Sequence, residues 1–228
     1  MCCVYDSKIE TIYKKLGFCD EYRGKTEDFY RKYFTREKEM KDFFKKVFIY
    51  ETKVSNQARL MMNQVRRFIT LANEINETTE GSQPLQLLFY KICLESLAHN
   101  SGLNNRSFFE RFESLVDADD CKELCKSIKI TTDSELQHET LLNEVFNIIS
   151  AVRHNVVHEG NCWNFSLFSC NEFSVCSTIE TDFVICESLR GERYEVTTTL
   201  KKDKFEYILV KTCIKYILDF CDNHSASE

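Results

Sequence analysis

The stretch RHNVVHEG, residues 153–160, gathers an arginine, two histidines, an asparagine and a glycine into eight positions. An imidazole titrates near neutrality and can take or give a proton. A guanidinium offers a planar fork of donors that suits a phosphate gathering negative charge. Arg153 and His158 therefore read as a pair for proton exchange and charge stabilisation at a phosphate. Their spacing alone is weak evidence. With 11 arginines and 5 histidines in 228 residues, about a quarter of one Arg-x4-His pair is expected by chance. A helix dipole also favours cations at its C-terminus, which gives the same residues a purely structural account. The surrounding elements must decide.

The stretch closes an apolar pattern in which Leu141, Leu142, Val145, Ile148, Ile149, Val152 and Val156 recur at helical spacing. This stripe predicts a long helix, capped by Asp133 or Ser134, with Gly160 in the position just past a helix end. At about 100° per residue, Arg153 falls at the edge of the stripe and His154 and His158 share the opposite face. The two histidines are thus expected outside the core of their own bundle. The preceding helix, PLQLLFYKICLESLAHN, opens at Pro84 and is apolar around most of its circumference, which suits a central place in a bundle. A carboxylate there is costly unless paired or at an edge, so Glu95 stands out, as a partner for Arg153, at an exposed edge or in another structural pair.

Earlier in the chain, residues 26–50 carry aromatics among lysines and arginines on an amphipathic helical pattern, and a second helix is expected over 54–75. A basic face with interleaved aromatics is either solvated surface or a track for RNA. Residues 77–84, ETTEGSQP, form the candidate boundary between an N-terminal helical segment, 1–80, and a second unit, 83–222. Short helices are expected over 107–116 and 119–128. After Gly160 the runs WNFSLF, FSVCSTI, DFVICESL and RYEVTTTL alternate like strands, with a hairpin turning at Arg190 to Glu192. A closing amphipathic helix over 204–221 precedes a polar tail. The fold expected is mainly α: a helical bundle with a small β-rich insertion at about 163–200, before the C-terminal helix.

Composition narrows the function classes. A formal charge of -6 and a pI near 5.5 argue against indiscriminate coating of nucleic acid, which depends on neutralising phosphates, so any such contact must be local. No uninterrupted apolar run suits a bilayer crossing, and MCCVYDSKIE lacks the order of a signal peptide. A cytoplasmic protein without membrane contact is expected, its twelve cysteines being reduced thiols. Cys121 and Cys125 are one helical turn apart but have no evident partner pair, so no metal is expected. No phosphate loop GxxxxGK[ST], serine elbow GxSxG or metal helix HExxH is present.

An apolar helix followed by one that ends in Arg153, a polar residue at His154, Asn155, Val156, Val157, His158 and then Gly160 resembles the Arg-x4-6-His motif of the HEPN superfamily. The resemblance spans roughly residues 83–222 and rests on one short motif and the order of helices. It implies a four- or five-helix bundle that pairs as a homodimer, so that two motifs face one another. It further implies an endoribonuclease of a prokaryotic defence or toxin system, with Arg153 and His158 catalytic, a 2′,3′-cyclic phosphate product, and no metal or cofactor. His154 occupies the polar position of that motif and would orient Arg153 or the phosphate, Asn155 would replace it if the helix end is distorted, and Glu95 would support Arg153. RNA, a second copy of the chain and an antitoxin or activator protein are the partners implied. The alternative is a non-catalytic module of the same type that binds RNA or protein. The chain departs from toxins paired with a minimal nucleotidyltransferase, which carry a tyrosine two residues after the motif histidine where this chain has Gly160. Control by nucleotidylation there is not implied. The β-rich stretch and the N-terminal helices look more like larger, stand-alone members.

Overall fold

The computed structural model describes residues 20–48, 53–75, 81–133, 138–161, 163–169 and 173–224. These form eight α-helices and a three-stranded antiparallel sheet, the mainly helical architecture expected, with two of the strands between the motif and the last helix. Among the described residues no helix is long and apolar enough to cross a membrane.

Helices α1 (Asp20–Arg31) and α2 (Glu37–Phe48) replace the single helix expected over 26–50. The break lets the aromatics of the two halves meet. Tyr30 and Phe43 have ring centroids 5.5 Å apart, whereas thirteen residues of unbroken helix would separate them by about 20 Å. Burying both rings outweighs the hydrogen bonds lost at residues 32–36. Helix α3 (Lys53–Glu74) matches the expected span closely and buries Ala58, Met61, Met62, Val65, Ile69 and Ala72. It packs along α4 (Ser82–Ser101) and the closing helix α8 (Lys202–His224), while α4 also packs against α7 (Leu142–His154). Glu206 of α8 is buried and accepts bonds from Tyr33 Oη at 2.7 Å, Asn73 Nδ2 at 2.6 Å and Lys32 Nζ at 3.1 Å. Burial and that carboxylate hold the Tyr33 hydroxyl far above its ordinary range. The buried apolar residues of α1–α3 belong to the same cluster as those of the later helices. The boundary stretch 77–84 lies partly outside the described residues.

The short helices α5 (Asn105–Ser114) and α6 (Ala118–Ser127) stand two residues or fewer from their expected starts. The segment leading into the motif helix differs from expectation. Residues Ile128–Thr132 form strand β1, and the motif helix begins at Leu142 rather than after Asp133 or Ser134. Its start is fixed by Glu144, whose Oε2 accepts the Leu141 N–H at 2.8 Å. Leu141 therefore lies outside the buried stripe and is exposed. Strand β3 (Arg193–Thr198) is central, flanked by β1 and by β2 (Val175–Glu180), both antiparallel to it. The sheet thus takes one strand from before the motif helix, and the insertion at 163–200 supplies only two.

The runs WNFSLF and DFVICESL are not strands, and the turn expected at Arg190 to Glu192 is part of a longer loop, 181–192, closed by Thr181 N–H on Glu192 O at 2.8 Å. Both runs are apolar because they plug the core from irregular backbone: Phe165, Leu167, Phe168, Ile185, Cys186 and Leu189 are buried. Gln83 supplies what a neighbouring strand would, its amide accepting the Phe168 N–H at 2.8 Å and donating to Phe168 O at 3.0 Å.

Gly81, at φ +74°, precedes α4, and a Cβ there would stand 2.7 Å from Trp163 Cε3. Gly160, at φ +64°, has open space where its Cβ would be. Gly160→Ala is expected to lose about 1 kcal/mol from the left-handed backbone alone, and Gly81→Ala at least about 1 kcal/mol more from the clash. Chemical denaturation measures both. Fluorescence of Trp163, the single tryptophan, should shift in Gly81→Ala.

Candidate functional site

The end of α7 is where the motif residues meet. The helix does not stop at His154 but widens into a π turn, Asn155–Glu159, closed by Gly160 in the left-handed conformation. The widening arises from Asn155. Its side chain is buried and donates from Nδ2 to Glu180 O of β2 at 2.6 Å, while its carbonyl accepts the N–H groups of Gly160 and Asn161. An i to i−5 bond admits one extra residue into the turn, a device that recurs at functional sites. Trp163 Nε1 then donates to Gly160 O at 2.8 Å and closes the end.

The extra residue sets the side chains. Arg153 Nη1 lies 2.9 Å from His158 Nε2. A guanidinium can only donate, so Nε2 is the acceptor and the ring proton sits on Nδ1. The rings of His154 and His158 have centroids 4.9 Å apart, and His154 Nε2 stands 4.0 Å from the Glu159 carboxylate. Both rings face outward from the bundle: His158 is exposed and His154 half-exposed. Arg153 is half-buried, with Nε 3.8 Å from Glu95 Oε1, a charge contact too long for a hydrogen bond. Its Nε–H is buried without an acceptor. Arg153, His154, His158 and Glu95 therefore share one site. Asn155 adjoins it but faces the sheet, so the distorted end does not turn its amide outward in place of His154.

Sequence patterning did not single out Lys91, which belongs beside them. It is one helical turn before Glu95, buried, with its ammonium 4.1 Å from the Phe109 ring centroid. Burial pushes its pKa down to about 8, Glu95 opposes the shift, and the Arg153 charge adds to it. The signal was present in the sequence: the cost that made Glu95 conspicuous in an apolar helix applies equally to a lysine four residues earlier. A lysine this close to neutral can lose or regain a proton at modest energetic cost.

The surface beyond His154 has the opposite charge. A cleft of about 660 Å³ is lined by His154, Asn155 and Arg193 together with Asp133, Glu159, Glu180, Asp182 and Glu192. Arg193 is engaged by two of those carboxylates, at 3.6 Å from Glu180 and 3.8 Å from Asp133. These carboxylates make the flank beyond His154 unfavourable to an anionic chain.

Lys91 sets a stability dependence on pH. Its pKa is lower folded than unfolded, so the penalty of burying its charge is complete below about pH 8 and fades as pH rises towards the unfolded value of 10.5. Lys91→Met is expected to raise stability at pH 7 by about 1–3 kcal/mol, the gain shrinking above pH 8 and vanishing near the unfolded pKa. Urea denaturation of both proteins across that range checks it.

No family model matches the chain, and neither does any curated protein or any solved structure.

Proposed function

We propose that the protein is a metal-independent endoribonuclease of the HEPN type, with Arg153 and His158 as its catalytic pair, acting in the cytoplasm as a homodimer within a prokaryotic defence or toxin system. The observation that carries this reading is the 2.9 Å contact between Arg153 Nη1 and His158 Nε2 on an outward-facing, π-widened helix end. A phosphate oxygen arriving at Arg153 competes for Nη1. The His158 Nε2 lone pair is then released to act as a base.

Nε2 accepts the proton of the RNA 2′-hydroxyl, O2′ bonds to phosphorus, and the bond from phosphorus to O5′ breaks. The leaving oxygen takes a proton from a protonated histidine, His158 itself or His154. The products are a 2′,3′-cyclic phosphate and a 5′-hydroxyl, and Arg153 stabilises the charge on phosphorus-bound oxygens as it builds. Glu95, 3.8 Å from Arg153 Nε, balances the guanidinium charge. Val157, half-exposed beside His158, gives the same face an apolar contact for a second copy.

A second reading is favoured by the acidic cleft next to His154: a non-catalytic module of the same type whose face holds a basic protein partner. Incubating the pure protein with total RNA in excess EDTA separates the two. The expected result is cleavage leaving cyclic phosphate ends, reduced about 100-fold or more in His158→Ala and in Arg153→Ala. RNA left intact by the unaltered protein, or cut equally by both variants, overturns the nuclease reading.

A further inference from the structure

At the opposite end of α7 a second group of chemically active side chains converges, from three separate segments. His138 precedes the helix, Glu144 lies in its first turn, and Cys186 comes from the 181–192 loop. One ligand atom from each lies within 4.8 Å of the other two, and Glu144 and Cys186 are buried. His138 Nε2 stands 2.9 Å from both carboxylate oxygens of Glu144, while its Nδ1 is buried without a hydrogen-bond partner.

Each segment is fixed independently. Thr140 Oγ1 donates to Ile128 O at 2.7 Å and anchors the residues around His138 to β1. The Leu141 N–H holds Glu144 in place. Asn147 Nδ2 donates to Ile185 O at 3.1 Å and ties the cysteine loop to α7. The three segments are thus anchored outside the group, and the His138 ring is held by Glu144 itself.

We infer that His138, Glu144 and Cys186 form a binding site for one zinc ion, three protein ligands of nitrogen, oxygen and sulfur type. The ligand set is one zinc accepts in tetrahedral geometry, with bonds of about 2.0–2.3 Å that hold donors three to four ångströms apart. The chemistry of the thiol supports the same ion. Cys186 Sγ and a Glu144 carboxylate oxygen lie within 4.8 Å of each other, and both residues are buried. A carboxylate beside a thiol is a poor arrangement for a nucleophile, because it suppresses the thiolate. A dication reverses that logic, neutralising the carboxylate and thiolate together. From Glu144 to Arg153 is nine residues, about 14 Å along the helix, so the ion stands apart from the phosphate chemistry proposed above, and three protein ligands leave its fourth position to water.

The full chain, loaded with Zn²⁺ and freed of excess metal, should retain about one equivalent by atomic emission, as one preorganised site requires. Cys186→Ser and His138→Gln should each bind zinc more than about 100-fold more weakly, since even residues outside the ligand set change affinity by 10- to 100-fold. Glu144→Gln keeps an acceptor for the Leu141 N–H while removing the charge, and should weaken binding with the helix intact by circular dichroism. Cys176→Ser, at an exposed cysteine, should bind as the unaltered chain does. Co²⁺ in place of zinc should give a thiolate-to-cobalt charge-transfer band that disappears in Cys186→Ser. An unaltered chain that retains no zinc, variants that bind as tightly as it does, or cobalt bound without the thiolate band would each overturn the site.

Discussion

The bond from Asn155 Nδ2 to the Glu180 carbonyl is the constraint on which the motif surface depends. A buried amide left without its partner would cost about 1–3 kcal/mol, so the side chain holds to β2 and the backbone accommodates it by opening a π turn. The turn swings His158 into reach of Arg153, which a regular helix would not do in the same way, because each residue would advance by about 100°. Gly160 and Trp163 secure the result. One polar group facing the sheet therefore determines the geometry of the groups that face solvent.

Charges of both signs surround Arg153. Glu95, as exposed as Arg153 itself, stands 3.8 Å away, and Lys91 is buried one turn before it on α4; beside Arg153 is the His158 imidazole, and beyond His154 is an acidic cleft. For a chain with a net charge of -6, this concentrates attraction for an anion on a small area and leaves the flank repulsive. Such a surface discriminates by position, which fits a local contact better than a general affinity for polyanions.

The helices were legible because burial is periodic in α3, α5, α6 and α8, at the spacing that the sequence displays, and because α4 is apolar on most sides. The same signal misled where apolar residues serve irregular backbone. Phe165 to Phe168 and Ile185 to Leu189 look like strands by composition, but their partners are a glutamine side chain and the core, and no periodicity records that. Strand β1 was hidden for a related reason, since its partner β3 lies more than sixty residues away. Glu95 could be found from cost alone, and Lys91 from the same reasoning carried one turn back. His138, Glu144 and Cys186 have no sequence spacing that could betray them, because the loop bearing Cys186 is brought to α7 only by the tertiary fold.

Both ends of α7 are attached to the same sheet. Thr140, just before the helix, bonds to Ile128 O at the start of β1, and Asn155, at its end, bonds to Glu180 O at the finish of β2. Ile128 is paired with Thr198 and Glu180 with Arg193, so the two anchor points sit at opposite ends of the central strand β3. The helix is in effect a strut pinned across the length of a plate. Turning it about its own axis, the motion that would part Arg153 from Glu95, requires shearing both hydrogen bonds at once. The rigidity of the motif surface is thus borrowed from three short strands that contribute no side chain to its arginine–histidine pair.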